Sequence, residues 1–122
     1  MKNFFLIYGL DKSLINNEIN NIKEKLKASE IINYSLDKDN LEDIILDASL
    51  TSMFSPKKLI IINNANFFGT VKSNIDINSL EEYLKHYNSD SYIIFSCSTE
   101  KIDSRKKITK KIEELGTIIE TK

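Results

Sequence analysis

The run "KKLIIIN" (Lys57–Asn63) is apolar on both faces of any extended chain it could form. A strand of that kind has to be buried on both sides, which requires layers of structure above and below it. The run also has a rhythm around it. "NFFLIY" (Asn3–Tyr8), "EIINYSL" (Glu30–Leu36), "SYIIFSC" (Ser91–Cys97) and the short "TIIE" (Thr117–Glu120) read as further strands. Between them the apolar period changes to that of a helix. Ile15, Ile19, Ile22 and Leu26 share one helical face, with Asp11 placed to cap it. Leu41, Ile44, Ile45 and Ala48 form a second stripe behind "DNLE", which has the form of a capping box from Asp39 to Glu42. A third helix runs from about Ser79, again with capping-box spacing to Glu82, and turns Leu80, Tyr83, Leu84 and Tyr87 inward. The fourth spans Ser104–Leu115, with Ile108, Ile112 and Leu115 inside and Gly116 as its stop.

Strand and helix alternating through five strands predict an α/β domain with a mainly parallel sheet and helices on both faces. Right-handed crossovers restrict such a chain to doubly wound topologies. At 122 residues the chain is expected to form a single domain, 1–122. The absence of a helix after "TIIE" suggests a fragment of a longer, multi-domain protein. The long connection from Asn64 to Asn78 carries Phe67-Phe68-Gly69, expected to fold back over a sheet edge.

Ligands of doubly wound sheets bind beyond the carboxyl ends of the strands, so chemistry is sought there first. In "YGLDKSL" (Tyr8–Leu14), three residues separate Gly9 from Ser13 and the second glycine of a phosphate loop is missing. Backbone amides could not wrap a triphosphate with that spacing. The end of the third strand carries Asn63 and Asn64 where an ATPase would place an acid for its magnesium. The same amides, with Asp11 alone after the first strand, rule out a phosphoacceptor site. Cys97 and His86 occur once each and have no arrangement that predicts nucleophilic catalysis or a metal centre. No catalytic, cofactor-binding or metal-ligating residue is therefore assigned.

Net charge is −1, so no global field draws the chain to nucleic acid or an anionic membrane. The basic run Lys101–Lys111 lacks interleaved aromatics and reads as a solvated helix face. The longest apolar run at the N-terminus is five residues, too short to span a bilayer. Two rival classes stay open at this point: a divergent nucleotide-dependent enzyme, and a DNA-binding module using the basic run.

The order of these elements resembles a known family. A strand ending "YG", a helix running into "SMFSPKKLIIINNANFF", then "LEEYL", "SYIIFS", "KIDSRKKITKKI" and "GTIIE" look like the N-terminal domain of the delta subunit of bacterial DNA polymerase III. That subunit is a component of the sliding-clamp loader. The resemblance covers essentially the whole chain. It implies a three-layer RecA-like AAA+ domain with a degenerate P-loop, and no nucleotide bound or hydrolysed. Such a protein is not an enzyme by itself; it is cytoplasmic and serves DNA replication. The partners implied are the beta sliding clamp, other clamp-loader subunits through domains outside this segment, and DNA indirectly. It further implies that a hydrophobic dipeptide before the third strand, here Met53-Phe54, binds the clamp. The pair could instead close the core between helix and sheet. Thr51-Ser52 breaks the helical pattern and Pro56 sets a turn, which favours the binding role.

Overall fold

A computed structural model of the protein describes residues 1–50 and 57–122. Five strands, β1 (Phe4–Gly9), β2 (Glu30–Ser35), β3 (Lys58–Asn63), β4 (Ser91–Ser98) and β5 (Thr117–Glu120), form one sheet in the order β2-β3-β4-β1-β5. Every strand pair is parallel. The connecting helices are α1 (Lys12–Leu26), α2 (Leu41–Ser49), α3 (Asn78–Lys85) and α4 (Lys107–Leu115).

The chain direction divides these helices between the two faces. After β1 the chain crosses to the far edge at β2, and α1 makes that journey on one side. Its Ile15, Ile19, Ile22 and Leu26 pack with Phe5, Ile7, Leu59, Ile61 and Ile94. The chain then steps back across the sheet, and α2, α3 and α4 lie on the opposite side over Phe4, Leu6, Ile60, Ile62, Ile93 and Phe95. Successive residues of β3 thus feed two different cores, which is why its run is continuous. The expected three-layer α/β architecture is the observed one. The edge strands β2 and β5 instead have only half-buried and exposed positions.

Several local expectations are corrected. α2 is capped by Asn40, whose side chain accepts the Glu42 amide at 2.8 Å; Asp39 instead accepts the Ser35 amide at 2.9 Å. α3 starts at Asn78 with Asp76 Oδ1 receiving that residue's amide, so Ser79 lies inside the first turn and caps nothing. α4 starts at Lys107, because Asp103 draws the Arg105 amide into a turn of its own. Phe67 and Phe68 do not cover an edge. They form a short 3₁₀ turn (Asn66–Phe68) buried on the α2–α4 side, with the Phe68 ring 5.2 Å from that of Phe95 on central β4. Beyond it Gly69 makes an isolated antiparallel bridge to Ile102. A large aromatic pair gains more by entering the central core than by shielding a rim.

Candidate functional site

The carboxyl ends of the strands open onto a cleft of about 280 Å³ lined by Lys12, Ile15, Asn16, Asn63, Asn64 and Ser96. The two amides are engaged in holding strands together. Asn63 donates to the Tyr34 carbonyl at 3.3 Å and accepts from Ser96 Oγ at 2.8 Å, so it spans β2, β3 and β4. Asn64, in a left-handed conformation at φ 61°, donates to Ser35 Oγ at 2.7 Å and Asp37 Oδ2 at 2.9 Å. Asparagine tolerates that backbone where most side chains do not. Asp11 caps α1 by accepting the Ser13 amide at 2.9 Å, as its position in the sequence predicts. Gly9 is explained by close packing: Thr121 passes directly over it, donating its amide to the Tyr8 carbonyl at 2.9 Å.

Beside this cleft, Cys97 is buried and its thiol is pushed up to about 11, chiefly by desolvation, with the Lys106 charge opposing. Such a thiol is a poor nucleophile at neutral pH. His86 is exposed at the end of α3, on the surface as its sequence context predicts. Among the described residues, no three His, Cys, Asp or Glu side chains gather to hold a metal ion.

The basic run is partly structural. Lys106 donates to the Phe67 carbonyl at 2.7 Å, Arg105 pairs with Asp103 at 3.2 Å, and Lys111 faces Glu114 at 3.7 Å. Lys101, Lys107 and Lys110 point into solvent.

At the opposite end of β3 the surface has another character. The inner stripe of α2 is fully used, with Leu41, Ile44, Ile45 and Ala48 buried. On its outer side Leu46 and Leu50, one helical turn apart, are 61% and 57% exposed. Here α2 ends, and its last carbonyls find side-chain donors from elsewhere in the fold. Lys58 Nζ lies 2.9 Å from Asp47 Oδ1, 3.0 Å from the Asp47 carbonyl and 3.4 Å from the Leu50 carbonyl. Tyr34 donates to Asp47 Oδ2 at 2.6 Å. Ser91 Oγ donates to the Ala48 carbonyl at 2.7 Å, joined there by Tyr83 and Asn88. Burial pushes the Asp47 carboxyl up, but the hydrogen bonds from Tyr34 and Lys58 and the ammonium charge outweigh it, leaving the group below its usual range. Burial first, and then the bond to Asp47, push the Tyr34 phenol up to about 12.

Met53 and Phe54 fall within 51–56, outside the described residues. The polar clasp next to them was not anticipated. Its signal in the sequence is slight: a lysine at the first position of a strand otherwise apolar, and an acid flanking the inner stripe of α2.

A three-layer α/β domain whose strand-end amides join strands together, and which leaves leucines exposed where α2 ends, is the class these features define. The chain belongs to the DNA polymerase III delta subunit family, whose model matches residues 5–122. It is similar to DNA polymerase III subunit delta of Bacillus subtilis (strain 168), with 23% identity over 127 residues, covering 97% of this chain and 37% of that protein. The fold is that of the Bacillus subtilis DNA clamp loader delta protein, at a TM-score of 0.83 and 22% identity, covering 98% of this chain and 38% of the other. The chain thus spans little more than a third of the curated relative it matches.

Proposed function

We propose that this chain is the clamp-binding domain of a clamp-loader delta subunit. It binds the beta sliding clamp through Met53 and Phe54 and holds a clamp interface open, without binding or hydrolysing nucleotide itself. The observation that carries this reading is the apolar end of α2. The core already takes Leu41, Ile44, Ile45 and Ala48, and Leu46 and Leu50, a few residues before the dipeptide in the sequence, face solvent. Apolar surface that the protein's own core does not claim, followed within a few residues of sequence by a flexible thioether and an aromatic, is the composition of a binding hot spot. The strand-end cleft supports the second half of the proposal. Its asparagines are committed to structural hydrogen bonds, and the sequence has no acid at the end of β3. The loop after β1 is read as a degenerate P-loop because only three residues separate Gly9 from Ser13 and the second glycine is missing. The other loader subunits would be met through segments beyond this one, DNA only indirectly, and the setting is the cytoplasm. No helix among the described residues is long and apolar enough to cross a membrane.

The test is binding to the same organism's sliding clamp, wild type against Met53→Ala/Phe54→Ala. Each anchor contributes about 1.5–3 kcal/mol by area transfer. The double substitution is therefore expected to weaken binding by roughly a hundredfold or more, at about 1.4 kcal/mol per tenfold, with the melting temperature little changed. Clamp binding by the folded double variant at wild-type strength would overturn the site. Failure of the wild type to bind would overturn the function. ATP with magnesium should leave the melting temperature unmoved, and a clear upward shift would favour a nucleotide-dependent enzyme instead.

A further inference from the structure

The end of α2 is held in an unusual way. Helices commonly finish with a glycine, or with a basic residue in the last turn interacting with the free carbonyls. α2 has neither: its last turn contains no basic residue and its C-cap is Leu50 in an extended conformation. The cation comes instead from β3, as the Lys58 ammonium reaching the Asp47 carboxylate and the Asp47 and Leu50 carbonyls. The Lys58 side chain is only 8% exposed, and that of Asp47 23%. Residues Leu50 and Lys58 are the two stems of the segment that carries the dipeptide. Lys58 therefore ties one stem to the other. The β3 stem is itself fastened, because the Lys57 carbonyl receives the Ser29 amide at 2.9 Å and the Ser29 hydroxyl at 2.9 Å.

A partly buried ion pair is weak evidence for stability, since well-packed apolar replacements are often neutral or better. What an apolar pair cannot supply is direction. Hydrogen bonds to particular carbonyls define where the chain leaves the helix, and contact between methyl groups does not. The Tyr34 hydroxyl on Asp47 and the Ser91 hydroxyl on the Ala48 carbonyl sharpen the same geometry.

We infer that Lys58, with Asp47 and Tyr34, is a positioning group for clamp binding: it fixes where α2 ends at Leu50, one stem of the segment that carries the dipeptide. This rests on the function proposed above and deepens it. Pre-organised presentation lowers the ordering cost of association, so loss of the clasp weakens binding without removing a contact.

The test uses the full chain and its own sliding clamp. Asp47→Leu/Lys58→Met is expected to melt near wild type and to bind the clamp about tenfold more weakly. The sequence contains no tryptophan, so Leu50→Trp at an exposed position gives a single reporter. Its fluorescence anisotropy in the free protein should decay faster when the clasp is replaced. Unchanged affinity, or weaker binding with unchanged anisotropy, would overturn the inference. If the double variant does not fold, Tyr34→Phe removes only the phenol bond and is expected to weaken binding about threefold, with the same anisotropy change. Absence of clamp binding by the wild type would overturn the proposed function itself, an outcome distinct from a variant that binds as well as wild type.

Discussion

A methyl group added at Gly9 would lie 1.9 Å from the hydroxyl oxygen of Thr121 and 3.2 Å from its Cβ. Thr121 also gives both its amide and its hydroxyl to the Tyr8 carbonyl, at 2.9 and 3.1 Å. Gly9→Ala must displace these bonds and is expected to cost about 1–3 kcal/mol, the usual range for overpacking. Thr121→Ala in the same chain removes the obstructing oxygen, so the double variant should recover part of the loss. Urea unfolding of the four chains measures the coupling, and strict additivity would sink the steric explanation.

The ion pair at the end of α2 should show an asymmetry between breaking and replacing. Lys58→Met leaves the Asp47 carboxylate without its ammonium and is expected to destabilise by about 2–3 kcal/mol, below the figure for a fully buried pair because Asp47 is 23% exposed. Adding Asp47→Leu should restore most of that. Equilibrium unfolding at neutral pH distinguishes the two.

The same residues give a pH dependence with a definite sign. The folded Asp47 carboxyl lies below its usual value of 3.8, so its contribution is complete above that pH and disappears as the pH falls below it. Tyr34 behaves in the opposite sense. Its phenol is raised from 10.0 to about 12, so its contribution is complete below pH 10 and is lost as the pH climbs through about 12. Asp47→Asn should flatten the acid limb relative to wild type. It should also bring the ultraviolet titration of Tyr34, read against Tyr34→Phe, back towards its ordinary range.

Phe68 is fully buried between Phe67 and Phe95, with ring centroids 4.6 and 5.2 Å away. Phe68→Ala is expected to cost about 3–5 kcal/mol, the range for removing a core aromatic. Loss below about 1 kcal/mol in chemical denaturation would mean that the turn after β3 packs more loosely than described.

Cys97 is 1% exposed and its thiol is raised to about 11. In the native protein at pH 8 a thiol reagent should therefore react at a rate set by opening of the fold. Adding denaturant should accelerate the reaction in step with unfolding, and prompt native-state labelling would contradict the burial.

The sheet and its helices were legible because β3, β4 and α1 carry their environment in their own periodicity. Ile60 and Ile61 point to opposite cores, and no distant partner is needed to infer it. Caps were less legible. Asp39 and Asn40 are both good capping residues, and the choice of Asn40 follows from Asp39 being occupied by the Ser35 amide. The destination of Phe67 and Phe68 depended on β4 lying at the centre of the sheet, which strand order decides and local sequence does not. The clasp of Tyr34, Asp47 and Lys58 joins β2, α2 and β3, and nothing within any one of these segments announces the other two. Met53 and Phe54 rest on the family resemblance and on the exposed leucines that precede them in the sequence.

Lys58 and Asn63 are the first and last residues of a single strand. At about 3.3 Å per residue they stand roughly 16 Å apart. Tyr34 of β2 nevertheless reaches both ends: its hydroxyl donates to Asp47 in the clasp at 2.6 Å, and its carbonyl accepts the Asn63 amide at 3.3 Å. The two ends of the domain therefore share one residue, and a change that moves Tyr34 at either end is passed along β2 to the other.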